Sequence, residues 1–300
     1  MSFAQALRGL LGQGGRKGTV SAILPVLYGL ASALTWGAAD FGGGIASKKS
    51  SPYAVVVWGD LVGMTAVAVL AAALGDPLPS LRSVGFSLLS SVCGAIGIIM
   101  LYRALADGKM SIAAPISALM AAVIPIVVGI LTTGWPKPFT TIGVLLAFLS
   151  IWLVARTEHE GRFRIHWADV RLPLLAGVLF GLFFIFMHEA TFQSVLWPAV
   201  VLRAFSMILL AAIARSKKES LAVVRDAWGL VAFIGIFDVA GNIFFILSAQ
   251  TGRSDIAALI GSLYPGATVA LAWLVLKEKI SASQMAGIVL ALTAIVLISI

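Results

Sequence analysis

Charged side chains are what this sequence has least of. Its 300 residues include 21 Lys or Arg and 13 Asp or Glu, together 11% of the chain, against 60% apolar residues. The mean hydropathy is +1.03. Soluble domains carry about a quarter charged residues, so the chain cannot cover two soluble domains with a water-facing surface. Cysteine is nearly missing too. Cys93 stands alone within an apolar run, which excludes a disulfide framework and a cysteine-built metal site. The usual enzyme signatures are absent: no Gly-x-Ser-x-Gly elbow, no His-Glu-x-x-His and no Gly-x-x-x-x-Gly-Lys-Ser/Thr loop. Catalysis, an ATP-driven cycle within this chain, a cofactor and a bound metal are therefore not expected.

Long apolar runs are what the chain has instead. A bilayer-spanning helix needs about 20 mostly apolar residues. Ten such segments fall at about 20–45, 53–74, 84–106, 111–132, 138–155, 172–192, 196–214, 227–250, 255–276 and 283–300. Polar and helix-breaking clusters separate them, among them Lys48-Lys49-Ser50-Ser51-Pro52, Gly75-Asp76-Pro77 and Gly134-Trp135-Pro136. Short alternating stretches of a membrane barrel are not seen. The expected class is an all-α membrane protein with ten transmembrane helices. Residues 1–19 form a polar tail with Arg8, Arg16 and Lys17, and the first apolar stretch reads as a retained span rather than a signal peptide.

The chain also repeats itself. Gly108-Lys109-Met110-Ser111-Ile112-Ala113-Ala114 lies 144 residues before Gly252-Arg253-Ser254-Asp255-Ile256-Ala257-Ala258. The same offset lays Ile142-Gly143-Val144-Leu145-Leu146-Ala147 on Ala286-Gly287-Ile288-Val289-Leu290-Ala291. One offset at two distant places implies duplication, with halves at 20–155 and 172–300 joined by a basic loop at 156–171. Five helices is an odd number, so the second half would enter the membrane from the opposite side. Two inverted five-helix repeats are expected, an arrangement typical of secondary transporters.

Several local features carry a family likeness. They are Leu34-Thr35-Trp36-Gly37 in the first segment, Ser51-Pro52 before the second, and Lys277-Glu278-Lys279-Ile280 with Gly287 at the last turn. With the five-plus-five plan, residues 20–300 resemble the drug/metabolite transporter superfamily, EamA type, and are similar to bacterial amino-acid exporters of the YddG type. Gly134 stands in the first half where the family commonly has Glu, so Glu278 reads as a loop cap rather than a transport group. The resemblance implies a carrier that exports amino acids, aromatic ones included, or related small metabolites across the bacterial inner membrane. A facilitative carrier of other metabolites or drugs, and a passive channel-like pore, are the alternatives.

Charge inside a bilayer is costly and marks candidate sites. Asp40, Asp60, Glu189, Arg203 and Asp238 fall within the apolar segments. Asp60 and Arg203 occupy nearly matching places in the halves, as a structural pair or a gate. Asp238 and Asn242 are four residues apart and share a helix face, either as a hydrogen-bonded pair or as lining of a wet cavity. Trp36, Tyr264, Phe184 and His188 complete the expected substrate-binding set, while Asp40, Asp60, Glu189 and Arg203 are candidates for coupling or gating. Gly261-Ser262 and Pro265 around Tyr264 predict a broken helix beside a cavity. His188-Glu189 also reads as an interfacial pair. Trp135, Trp167, Trp197 and Trp228 fit an interfacial belt. The net charge of +8 is read as membrane orientation rather than nucleic-acid binding. Lys and Arg number 13 in the loops after odd-numbered segments and 6 in the tail and remaining loops. The positive-inside rule then places both termini outside, whereas the resemblance implies cytoplasmic termini. A small solute and the bilayer are the expected partners, with a monomer as the expected state.

Overall fold

A computed structural model describes residues 19–106, 110–155, 167–276 and 282–299. Eleven α-helices occur among them: α1 (Thr19–Ser47), α2 (Pro52–Ala73), α3 (Leu81–Ala106), α4 (Met110–Thr133), α5 (Pro138–Ala155), α6 (Trp167–Ala190), α7 (Trp197–Ser216), α8 (Trp228–Thr251), α9 (Ser254–Gly261), α10 (Tyr264–Leu276) and α11 (Ala282–Ser299). A 3-10 turn at Arg225–Ala227 leads into α8. The described residues contain no strand. Among the described residues six helical stretches are long and apolar enough to cross a membrane: Pro52–Ala73, Leu81–Ala104, Arg171–Ala190, Trp197–Ser216, Arg225–Thr251 and Ser254–Val275. Pro52 and Pro198 sit in the first turns of α2 and α7, where a missing N–H costs nothing.

Two details differ from the sequence reading. Helix α6 begins at Trp167, inside the stretch 156–171 expected as a connecting loop. The helix runs through Pro173, its seventh residue; a proline there removes only one internal hydrogen bond. The ninth segment is two helices, α9 and α10, with Ser262 and Leu263 between them. Pro265 has no N–H to continue the ladder, and the gap is closed by Leu263 N–H to the Ile260 carbonyl at 3.0 Å. The tail, Gly108-Lys109 and Lys277-Glu278-Lys279 lie outside the described residues.

The halves hold each other by exchanged contacts. Helix α1 packs along α8 and α6 along α3; α10 meets α1 as α4 meets α6; α2 meets α8 as α3 meets α7. Helix α2 packs on α7 and α5 on α11. Glycines make the closest crossings possible. The Trp36 indole of α1 lies against Gly241 of α8, where an added methyl would sit 2.5 Å from the ring. Phe180 of α6 lies against Gly97 of α3 in the same way, at 2.9 Å. Phe180 follows Trp36 by 144 residues and Gly241 follows Gly97 by 144. Small residues at helix crossings are what membrane bundles require, since apolar burial gives no drive between helices in lipid.

The two ends of the bundle are closed by a matched turn. After α2, Leu74 N–H bonds Leu70 O, Gly75 N–H bonds Ala72 O and Asp76 N–H bonds Ala71 O. After α7, Lys217, Lys218 and Glu219 repeat that pattern to Ile213, Arg215 and Ala214. This is the Schellman end of a helix, with left-handed φ at Gly75 (+62°) and Lys218 (+56°). Each turn delivers a carboxylate to the start of a helix in the other half. The Asp76 carboxylate accepts from Ser194 Oγ (2.6 Å) and from the N–H groups of Leu196 (2.9 Å) and Trp197 (3.3 Å). Glu219 accepts from Ser51 Oγ at 3.0 Å. Around Asp76, Ser83 bonds the Ala190 carbonyl and Gln250 bonds the Thr191 carbonyl. Around Glu219, Trp58 Nε1 donates to Leu221 O at 2.9 Å and Val224 N–H to Ser50 Oγ at 3.2 Å.

Candidate functional site

Between those ends the helices enclose a partly open cavity of about 140 Å3. For scale, an apolar cavity of about 150 Å3 accommodates a benzene ring. Both halves line it. Helices α1, α2 and α8 bring Trp36, Asp40, Asp60, Asp238 and Asn242; α3, α6, α7 and α10 bring Tyr102, Phe180, Phe183, Phe184, Arg203, Ser206 and Tyr264.

One charged cluster crosses its wall. Arg203 Nη1 donates to Asp60 Oδ1 at 2.8 Å, and Nη2 donates to Asp238 Oδ2. Ser206, one helical turn beyond Arg203, donates to the other Asp60 oxygen at 2.6 Å. Asn242 turns its amide back on its own helix, bonding the Asp238 carbonyl at 2.8 Å and Asp238 Oδ2 at 3.2 Å. Its Oδ1 is buried with no hydrogen-bond partner. Access is unequal across this cluster. The Arg203 side chain is 2% exposed and Asp60 10%, while Asp238 is 39% exposed. The cation is sealed in the wall; one of its carboxylates faces the space. Asp40 is half-buried on the same wall and takes part in none of the hydrogen bonds or ion pairs among the described residues.

Aromatic rings form the other wall. Trp36 and Phe184 have centroids 5.4 Å apart, Phe183 and Phe184 5.6 Å, and Phe184 and Phe245 4.9 Å. Tyr264, held at the helix break, places its hydroxyl 3.3 Å from Ser117 Oγ. The halves are alike in backbone but not in this chemistry. Counting back 144 residues, Phe184 falls on Asp40 and Asp238 on Gly94. Gly94 gives room to Phe183, whose ring lies 3.0 Å from where a methyl would be.

Eight sequence candidates thus share one cavity: Trp36, Asp40, Asp60, Phe184, Arg203, Asp238, Asn242 and Tyr264. His188 and Glu189 do not line it. Glu189 pairs with the exposed Arg82 at 2.8 Å near the Asp76 end, and His188 Nδ1 is buried without a hydrogen-bond partner. Pairing of Asp238 with Arg203 escaped the sequence, because α7 and α8 are adjacent in order but their register is set by packing. Ser206 was within reach, standing three residues from Arg203 on the same helix face. Asp76 and Glu219 read as loop residues; their 143-residue spacing was the available signal. At the start of α9, Arg253 grips Asp255 with Nε and Nη2 at 3.1 and 2.7 Å and bonds the Gly134 carbonyl at 3.1 Å, a local brace away from the cavity. The described residues contain no cluster of metal-binding side chains.

A model of the EamA-like transporter family matches residues 23–156 and again 169–300. An uncharacterized protein of Methanocaldococcus jannaschii is 28% identical over 129 residues, 43% of this chain and 94% of the archaeal protein. That relative is therefore about the length of one half. One crystal structure of a protein aligns with 91% of this chain and 95% of its own, at a TM-score of 0.74 and 13% identity, a likeness of fold.

Proposed function

The chain belongs to the EamA-like transporter family, and from that premise we propose that it is a secondary carrier of small metabolites working by alternating access. In this reading ten helices cross the membrane as inverted halves, residues 20–155 and 172–300, about a site where they meet. The observation that carries it is the cavity: charged and aromatic groups from both halves converge there, between two ends closed by the same turn. Carriers of inverted-repeat design bind near the midplane and rock one half against the other, so each end must open while the other stays shut. In this reading the Asp76 and Glu219 contacts hold the two ends shut in turn. Solutes bearing an amino group, amino acids among them, are the first class to test, with export across a bacterial inner membrane as the physiological direction. Asp40, half-buried in the cavity wall and without a hydrogen bond or ion pair among the described residues, is the coupling group if a proton gradient drives the cycle.

The test is flux into liposomes. A carrier gives saturable uptake that is accelerated by unlabelled substrate on the opposite side. Linear, unsaturable flux would replace the carrier by a pore. Sidedness is a separate measurement. The end bearing Lys48, Lys49, Arg215, Lys217, Lys218 and Arg225 is proposed to face the cytoplasm by the positive-inside rule, and protease or thiol access in oriented vesicles decides it.

A further inference from the structure

We propose that the cavity selects monocationic amines that lack a carboxylate, over zwitterionic amino acids. The inference rests on the carrier reading and narrows its substrate class. A bound solute must find partners among groups it can reach. The one cation among the described residues of the wall, Arg203, is 2% exposed and donates to both Asp60 and Asp238. A substrate carboxylate would have to displace one of those aspartates. Three of the hydroxyls already have partners. Ser206 donates to Asp60, Ser91 donates to the Leu202 carbonyl at 2.7 Å, and Tyr264 shares its bond with Ser117. The remaining donors on the described wall, the Tyr102 hydroxyl and the Trp36 indole N–H, are neutral and do not offset a carboxylate's charge.

The charged groups that remain open are acceptors. Asp238 is 39% exposed with its second oxygen uncommitted. Asp40 offers a carboxylate with no hydrogen bond or ion pair among the described residues. Asn242 is 5% exposed and its Oδ1 is buried, so it backs Asp238 rather than meeting the solute. Its amide donates to both the Asp238 carbonyl and Asp238 Oδ2. Three aspartates against one arginine make the described wall more acidic than basic. An ammonium or guanidinium group supplies donors alone and one positive charge, which complements that inventory. Phe180 and Phe183 take the apolar part of the solute, and ring faces favour a nearby cation.

Equilibrium binding to the purified chain in nanodiscs at pH 7 tests this with two matched series. One is phenethylamine, phenylalanine and 3-phenylpropionate; the other is butylamine, norvaline and valerate. In at least one series the amine is expected to bind ten-fold or more tighter than its amino acid, with no competition from the acid. Asp40→Asn, which removes no hydrogen bond or ion pair of the fold, is expected to weaken the amine ten-fold or more and to leave the elution profile and unfolding temperature unchanged. Asp238→Asn is the second variant, with the same direction. Amino acids binding as tightly as their amines, or no binding in either series, overturns the proposal. Failure of the carrier reading looks different. Saturable, trans-stimulated flux of an amino acid keeps the carrier and removes the amine class, whereas tight amine binding without trans-stimulation keeps the class and removes the carrier.

Discussion

The Asp76 end and the Glu219 end of the bundle are built on one backbone plan and closed with unequal strength. Both carboxylates follow a left-handed residue and reach the first turn of a helix in the other half. Asp76 is 6% exposed and accepts three hydrogen bonds, two of them from backbone N–H groups at the start of α7. A carboxylate at a helix N-terminus is favoured by the unsatisfied amides and by the helix dipole. Glu219 meets a single hydroxyl, and its side chain is 38% exposed, 3.9 Å from Arg103. Solvent screens such a pair to about 0–1 kcal/mol. The difference teaches that a duplicated backbone can carry a lock at one end and a loose clasp at the other, with burial deciding which is which.

The hardest way to break this asymmetry is Asp76→Ala. It strands the Ser194 hydroxyl, the buried Leu196 amide and the half-buried Trp197 amide, and hydrogen bonds to a charged group contribute about 1.5–3 kcal/mol each, less than additively. A loss of about 3 kcal/mol is expected, read as a lowered unfolding temperature by tryptophan fluorescence; a loss below about 1 kcal/mol would mean the lock is not a lock. Ser194→Ala removes one of the three bonds and should cost about 1 kcal/mol. Amide hydrogen exchange sharpens the comparison without mutation. The turn from Thr191 to Trp197 is expected to exchange about ten-fold or more slowly than the stretch from Lys217 to Val224, because local opening follows the number of buried hydrogen bonds. Equal rates would erase the difference. Glu219→Gln keeps the hydroxyl contact and should change stability by less than about 0.5 kcal/mol. Lys218→Gly is of similar size and has the opposite sign. It relieves a side chain held at φ +56°, and a gain of about 0.5 kcal/mol is expected after the added backbone entropy of glycine.

Much of the architecture was legible in the sequence, because scarcity of charge leaves few places to cut. The apolar segments fall on helices α1 to α8 and on α11, and the ninth breaks beside Tyr264 as Gly261-Ser262 and Pro265 imply. Helix α6 hid its first turn behind Asp169 and Arg171, which read as loop charges. Within the site, intramembrane charge pointed to Asp40, Asp60, Arg203 and Asp238, since each must find a partner or a cavity. The same rule marked Glu189, which instead lies near a helix end with Arg82; hydropathy does not report depth finely enough to separate the two cases. Contacts set by three-dimensional register stayed hidden. Asp238 could be matched with Asn242 by helical spacing, but its bond to Arg203 depends on how α7 sits against α8.

The aromatic-on-glycine crossings also fix an order of assembly. Trp36 is synthesised early, yet the glycine it rests on belongs to α8, whose first residue comes 181 positions after the end of α1. At translation rates of about 5–20 residues per second, that interval is about 9–36 s. Gly97 waits a shorter time, since Phe180 follows it by 83 residues. The nascent chain therefore inserts α1 with its indole against lipid or insertion machinery, joins α3 to α6 first, and recruits α1 into the bundle only when α8 emerges. A ribosome stalled before Trp228 would leave a first helix in the membrane with no glycine seat to dock on.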